Sequence, residues 1–445
     1  MTSKGEKSST GLLLQMTKAI MFFDYLGVAL VVPLLSSYFR DAGVDKMMYA
    51  YISSTYAISQ LVGGVAIGAA SDSLSKKSIL LLSFIGSAIS YTMVCMTNNV
   101  YLLFGSRVLV GLVKQTMTVT TSTISELTAG NLELRTRELG QCSAAATFSF
   151  VVGPGMGSYM YKRDPRLPCL CAAVLFLLNI TITMVFFPSS FDFDKKKSDK
   201  EKKIEVKKSL DDSIRKEKKT GFLAPAVNAT RNFFRSVVEL CQNPAVSYIV
   251  ALQVFYGFVV NSMSYRHILN YMEDRFGIET YQLGLLSSYG SIAGIASDIV
   301  LVPVVMKLFD TANKPYSTIT VCLLLIALAN LGEVMSPTLN HYVFYSMLPN
   351  VVASNLLASS MKNAFLTAVP VSDTGKAQGI MGMLSSFSGI IAPIYGTSVQ
   401  TRIAGTQMGA VTLHRPHFAA IHFVLIAIMS GAGGAATSGV KSKRE

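Results

Sequence analysis

Apolar positions in this chain fall into long runs cut by short polar turns. The clearest instance is Gly68 to Leu80, GAASDSLSKKSIL, wedged between the nearly uncharged stretches Tyr51 to Ala70 and Ile79 to Met96. A run of roughly 20 apolar residues crosses a ~30 Å hydrocarbon core. Asp72, Lys76 and Lys77 therefore mark a turn between two adjacent, antiparallel membrane helices. The same pattern predicts twelve spans, beginning near residues 13, 50, 79, 101, 140, 168, 245, 281, 317, 341, 377 and 417. The first apolar run continues for a full span, so no cleavable leader is expected.

The pattern breaks once at length. From Pro188 to Asn243 the chain turns to mixed charge, FDFDKKKSDKEKKIEVKKSLDDSIRKEKK, with few apolar residues before Gly221. Such a segment buries too little surface to fold and reads as a linker. Its end spaces Phe233, Val237 and Leu240 on one face beside Arg231 and Arg235, as an interfacial helix would. The halves on either side echo each other. Pro154-x-x-Gly157 in the fifth span returns as Pro393-x-x-Gly396 in the eleventh, and Ser53-Ser54 in the second returns as Ser287-Ser288 in the eighth. The expected organisation is a six-helix bundle over 1–187, a charged linker over 188–243, a second bundle over 244–436 and a basic tail over 437–445. Parallel repeats of this kind place a solute site near the membrane midplane. The predicted fold class is all-α, a membrane protein of two pseudo-symmetric six-helix bundles.

Composition agrees with the pattern. Apolar residues make up 51% and charged residues only 15%, where a soluble domain carries about a quarter charged. Mean hydropathy is +0.44. The net charge of +13 does not point to nucleic acid, because the basic residues sit in short loops between spans. With both termini in the cytosol, most of the 39 Lys and Arg residues fall on the cytosolic side, as the positive-inside rule requires. The six cysteines show no metal-ligand or disulfide spacing. Two glycosylation patterns, at Asn179 and Asn228, fall in a span and in the cytosolic linker, so neither is expected to carry sugar.

Ionisable side chains inside a span cost about 2.5–3.5 kcal/mol at its centre and normally face a partner or a wet cavity. The spans contain few: Asp24 in the first, Arg107 and Lys114 in the fourth, Asp298 in the eighth. Measured from the cytosolic face at 1.5 Å per residue, Asp24 lies about 13 Å deep, Lys114 about 15 Å and Arg107 about 25 Å. Lys114 is thus the expected partner of Asp24. Gln253, Tyr256 and Asn261 on the seventh span and Asn355 on the tenth are the polar candidates for lining a solute cavity in the second half.

Gly68, Asp72, Lys77 and Leu80 resemble the loop between helices 2 and 3 of the major facilitator superfamily, G-x-x-x-D-x-x-G-R-K-x-x-L, with Ser75 for its glycine and Lys76 for its arginine. The resemblance implies a cytosolic gate of Gly68, Asp72, Lys76 and Lys77 with Glu126, the acid at the cytosolic end of the fourth span. Asp24 with Pro33, and Arg107 with Gly111, resemble helix 1 and helix 4 patterns of the drug:proton antiporter branch. Gly153-Pro154-x-x-Gly157 resembles that branch's helix 5 motif, with Ser149 and Ser158 in place of its outer glycines. The stretches from Asp24, Tyr101 and Ser372 are similar to two orphan-like groups, that of major facilitator domain-containing protein nine and that of the tetracycline-transporter-like member of solute carrier family 22.

The resemblance implies a twelve-helix carrier that moves a small organic solute by alternating access, coupled to protons, with antiport favoured. Expected partners are the solute, a cationic one included, protons and the lipid bilayer. A monomer is expected, with no nucleic acid, metal or cofactor. No nucleophile, metal or nucleotide motif supports an enzyme. Two other readings are a non-transporting receptor or scaffold on the same fold and an uncoupled sugar or nucleoside uniporter. The plasma membrane and endosomal or lysosomal membranes are equally compatible.

Overall fold

The computed structural model describes residues 2–70, 75–129, 131–187, 242, 244–262, 272, 275–308, 315–369, 374–403, 407–408, 411–412 and 415–441. Asp72 and nearly all of the 188–243 segment lie outside them. Among the described residues the regular secondary structure is helical apart from one short antiparallel pair, β1 (Gln407–Met408) against β2 (Val411–Thr412).

The first helices are α1 (Thr2–Val31), α2 (Leu35–Asp41), α3 (Lys46–Ala70) and α4 (Lys76–Met96). They are followed by α5 (Val100–Val113), α6 (Thr116–Leu127), α7 (Leu132–Arg163) and α8 (Leu167–Phe186). Later in the chain come α9 (Pro244–Ser262), α10 (Thr280–Ala296), α11 (Val302–Leu308), α12 (Pro315–Met335) and α13 (Leu339–Tyr342). The last are α14 (Leu348–Ala368), α15 (Thr374–Ile403) and α16 (Arg415–Lys441). Helices begin close to the predicted span starts, except that α1 begins at Thr2 and α7 at Leu132, both well before the expected positions. Among the described residues six rods are long and apolar enough to cross a membrane: Thr10–Asp41, Lys76–Met96, Val100–Leu127, Leu167–Phe186, Thr280–Lys307 and Tyr316–Met335. Val246–Ser262 and Pro416–Gly431 are shorter apolar helices.

Local chemistry sets several ends. Pro33 lacks the N–H a continuing helix needs, and a 3₁₀ turn at Val32–Leu34 separates α1 from α2. Side chains of Ser75, Asn99 and Asn131 accept backbone N–H bonds from Ser78, Tyr101 and Leu134, capping α4, α5 and α7.

The chain clusters into two compact units, Met1–Val32 with Ile58–Asn232, and Pro33–Ala57 with Phe233–Glu445. In the first, α1 packs on α7 and α8, and α4 packs on α8 and α5. Packing here mixes buried apolar side chains, such as Leu80 and Phe84 of α4, with buried small polar ones. Helix α4 buries Ser83, Ser87 and Ser90 and exposes Leu82, Ile85 and Ile89. Lipid is as apolar as leucine, so small polar side chains serve the helix contacts and large apolar ones face outward. Helix α7 approaches α1 through glycine: a Cβ on Gly157 would overlap the Leu30 carbonyl, and one on Gly153 would overlap Ala29.

In the second unit, α9 packs on α15, α16 and α14, and α12 packs on α16 and α14. Ile249, Leu252, Ile319, Leu323 and Leu357 centre its core. A Cβ on Gly396 of α15 would overlap the carbonyl of Ser262, at the end of α9. The Pro-x-x-Gly echo in the sequence therefore does the same work twice, seating α7 on the end of α1 and α15 on the end of α9.

Candidate functional site

The Val100–Leu127 rod is broken where its lysine stands. Helix α5 ends at Val113, Lys114 takes an extended conformation (φ −73°, ψ 91°), and α6 starts at Thr116. The sequence after the break, TMTVTTSTISEL, is rich in Thr and Ser, whose hydroxyls bond back to carbonyls four residues earlier at Thr120, Thr121, Thr123 and Ser125. Such residues form helix weakly. Backbone groups freed by the break are re-engaged: Lys114 N–H donates to Val110 O at 3.0 Å and Gln115 N–H to Ser83 Oγ at 3.3 Å. Glycines of two neighbours close on the same point, Gly63 of α3 against Leu112 and Gly86 of α4 against Val113.

From this break the Lys114 ammonium reaches Asp24 of α1 and forms an ion pair with Oδ1. The Asp24 side chain is 1% exposed and that of Lys114 14%. The second carboxylate oxygen, Oδ2, is buried and has no hydrogen-bond partner among the described residues. Lys114 also lies 5.0 Å from the centre of the Phe176 ring. Arg107, the other cation of the rod, is turned elsewhere. It is buried, donates to Ser90 Oγ at 3.1 Å and Ser106 Oγ at 3.2 Å, and sits over Tyr91.

At the other end of α6, Glu126 pairs with Lys76 at 2.6 Å. Lys77 instead donates to the Met184 carbonyl at 2.7 Å, near the C-terminus of α8, where the helix dipole favours a cation. Gly68 lies in the last turn of α3. Asp72, the gate's remaining member, is outside the described residues.

Asp298 stands on a π-helical turn, Ser297–Leu301, and is exposed. Asn355 donates to the Gly294 carbonyl at 2.9 Å, a bond between α14 and α10. Gln253 is half-buried, and its Oε1 has no hydrogen-bond partner among the described residues. Tyr256 is half-buried with its ring 6.2 Å from Phe423, and Asn261 is half-buried one residue before the Gly396 contact. Asn179 is buried and donates to the Ile20 carbonyl at 3.2 Å.

Two features escaped the sequence pattern. Lys18 of α1 pairs with buried Glu138 of α7 at 2.9 Å and donates to Gln141 at 2.6 Å. Lys18 stands only a few residues into the first apolar run and Glu138 just ahead of the expected start of the fifth span, where a charge raises no alarm. The break at Lys114 carries no Pro or Gly of its own, and the threonine run was its one signal.

A helical membrane protein with buried charges at a broken rod is the architecture of a solute carrier. The sequence profile of the Major Facilitator Superfamily matches residues 19–393, and the chain belongs to that family. The tetracycline resistance protein, class D, of Salmonella ordonez is 23% identical over 399 residues, covering 88% of this chain and 91% of the relative. Multidrug resistance protein 1 of Bacillus subtilis is 21% identical over 393 residues, with 88% and 90% covered. Among solved structures, the nucleoside transporter NupG superposes with a TM-score of 0.68 at 14% identity, covering 95% of this chain and 98% of NupG. The human organic anion transporter MFSD10 gives 0.62 at 15%, with 95% and 99% covered. At such identity the structures show the shared fold.

Proposed function

We propose that the protein is a secondary active carrier that exchanges a small organic solute for protons by alternating access, with Asp24 as the proton-carrying group and Lys114 as its switchable partner. The observation that carries this reading is the Asp24 carboxylate, buried beside a helix break, with one oxygen on Lys114 and the other without a partner among the described residues. Burial disfavours a bare carboxylate and a neighbouring cation favours it. A movement that draws the Lys114 segment away leaves Asp24 to take a proton. A purely structural pair has a cheaper substitute, since well-packed apolar residues are often neutral or stabilising in place of a buried ion pair.

Relatives named for tetracycline and multidrug resistance direct the substrate search to drug-like organic solutes, a cation included. Gln253 is the strongest candidate solute contact in the second half, because its buried oxygen lacks a partner among the described residues, whereas Asn355 is already spent on Gly294. Within the superfamily we place the chain beside the two orphan-like groups that its Asp24, Tyr101 and Ser372 stretches resemble. The organisation adopted is bundles over 1–187 and 244–436, a cytosolic linker over 188–243 and a tail over 437–445, with both termini cytosolic and the carrier monomeric.

The test is uptake by purified protein in liposomes of a panel holding tetracycline, a quinolone, a cationic dye and a nucleoside, with and without an imposed pH gradient. Accumulation of a drug-like member above equilibrium, only when the gradient is present, is the expected result. Equilibration of the nucleoside indifferent to pH supports the uniporter, and no movement of any probe supports the scaffold.

A further inference from the structure

Lys114 has a second partner besides its carboxylate. The ring of Phe176, fully buried on α8, presents its face to the Lys114 ammonium at 5.0 Å. The ring is pinned. It also stacks on Tyr91 of α4, with centres 5.4 Å apart and planes at 15°. Gly27 of α1, one turn beyond Asp24, leaves room for it, since a Cβ there would come within 3.1 Å of Phe176 Cζ. Arg107 lies over Tyr91 at 5.4 Å. Arg107, Tyr91, Phe176, Lys114 and Asp24 thus form a run of successive contacts, one cation over each of two stacked rings and a carboxylate paired with one of those cations.

We propose that Phe176, backed by Tyr91, is a positioning residue: its face holds the Lys114 ammonium whenever Asp24 is neutral or engaged elsewhere. This rests on the proton-exchange reading and supplies what that reading lacks. Once Asp24 takes a proton, the ammonium of Lys114 would be stranded in a largely dry site. No other described group relieves it. Among the charged groups on the elements packed around the pair, Glu138 of α7 is bridged to Lys18 and Glu126 of α6 to Lys76. Arg107 of α5 is itself a cation, Glu133 of α7 is exposed in the first turn of its helix, and the titratable side chains of these helices also include Tyr25 of α1, Tyr91 and Cys95 of α4, Cys142 of α7, and Cys169 and Cys171 of α8, none of them ion-paired with Lys114. A desolvated ammonium over an aromatic face is stabilised by the ring quadrupole, and the proton can then come and go without Lys114 losing its place.

The experiment is a cycle of thermal unfolding midpoints in detergent, on wild type, Phe176→Leu, Asp24→Asn and the double variant. Phe176→Leu is expected to lower the midpoint further in the Asp24→Asn background than in wild type, by an extra ~2 °C or more. Phe176→Tyr, which keeps the face, should restore most of that extra loss, and Lys114→Met should abolish it. Equal losses in both backgrounds, or an excess that survives Lys114→Met, overturns the proposal. Should Phe176→Leu not fold, Phe176→Met carries the same cycle with the volume kept. The cycle needs neither solute nor proton gradient, so its failure is separate from a failure of proton exchange, which liposome transport alone decides.

Discussion

Valine at Gly157 is expected to leave no stably folded carrier. The Cβ alone would overlap the Leu30 carbonyl oxygen and lie 2.9 Å from its carbon and 3.0 Å from its Cα. Those atoms are helix backbone and cannot rotate away as a side chain would. Ordinary overpacking in a core costs about 1–3 kcal/mol, and here relief requires α1 and α7 to separate along their contact. Gly396→Val should fail for the same reason against Ser262, whereas Gly105→Ala and Gly140→Ala, with nothing within 4 Å of the new carbon, should be nearly silent. Size-exclusion profiles and unfolding midpoints of the four variants decide this. A monodisperse Gly157→Val protein near the wild-type midpoint would contradict the close approach.

The second large effect is a rescue. Lys114→Met strands the buried Asp24 carboxylate, and breaking one side of a buried pair costs about 3–5 kcal/mol. Adding Asp24→Asn removes the stranded charge, so the double variant should recover most of the lost stability. It should not recover proton-driven transport, because the proton-carrying group is gone. Unfolding midpoints of the single and double variants measure the first point. A double variant as unstable as Lys114→Met alone would show that the lysine is held by something other than Asp24.

What the sequence made legible follows from which forces act locally. Apolar runs of bilayer length leave helix little alternative, since every backbone group must be satisfied within the segment. The helices accordingly stand close to where the pattern put them, α1 and α7 beginning early because a helix can continue past its apolar run. The repeated Pro-x-x-Gly was readable because only glycine permits that approach, so both copies kept it. Depth along two antiparallel rods was enough to pair Asp24 with Lys114 rather than Arg107. The break at Lys114 was not readable, because it depends on Ser83 from another helix and on two glycines pressing from the sides. The aromatic stack was hidden for a similar reason. Tyr91 and Phe176 lie on different helices within long apolar runs, and nothing in either run distinguishes a ring that faces lipid from one that faces a cation.

The most direct test of the central reading is the well-folded Asp24→Asn protein in liposomes, loaded with whichever panel solute the wild type accumulates. If Asp24 carries the exchanged proton, uptake driven by a pH gradient disappears while solute-for-solute exchange without a gradient continues. Accumulation by Asp24→Asn under that gradient would contradict the account and move the proton to another group, with Asp298 the next to be replaced.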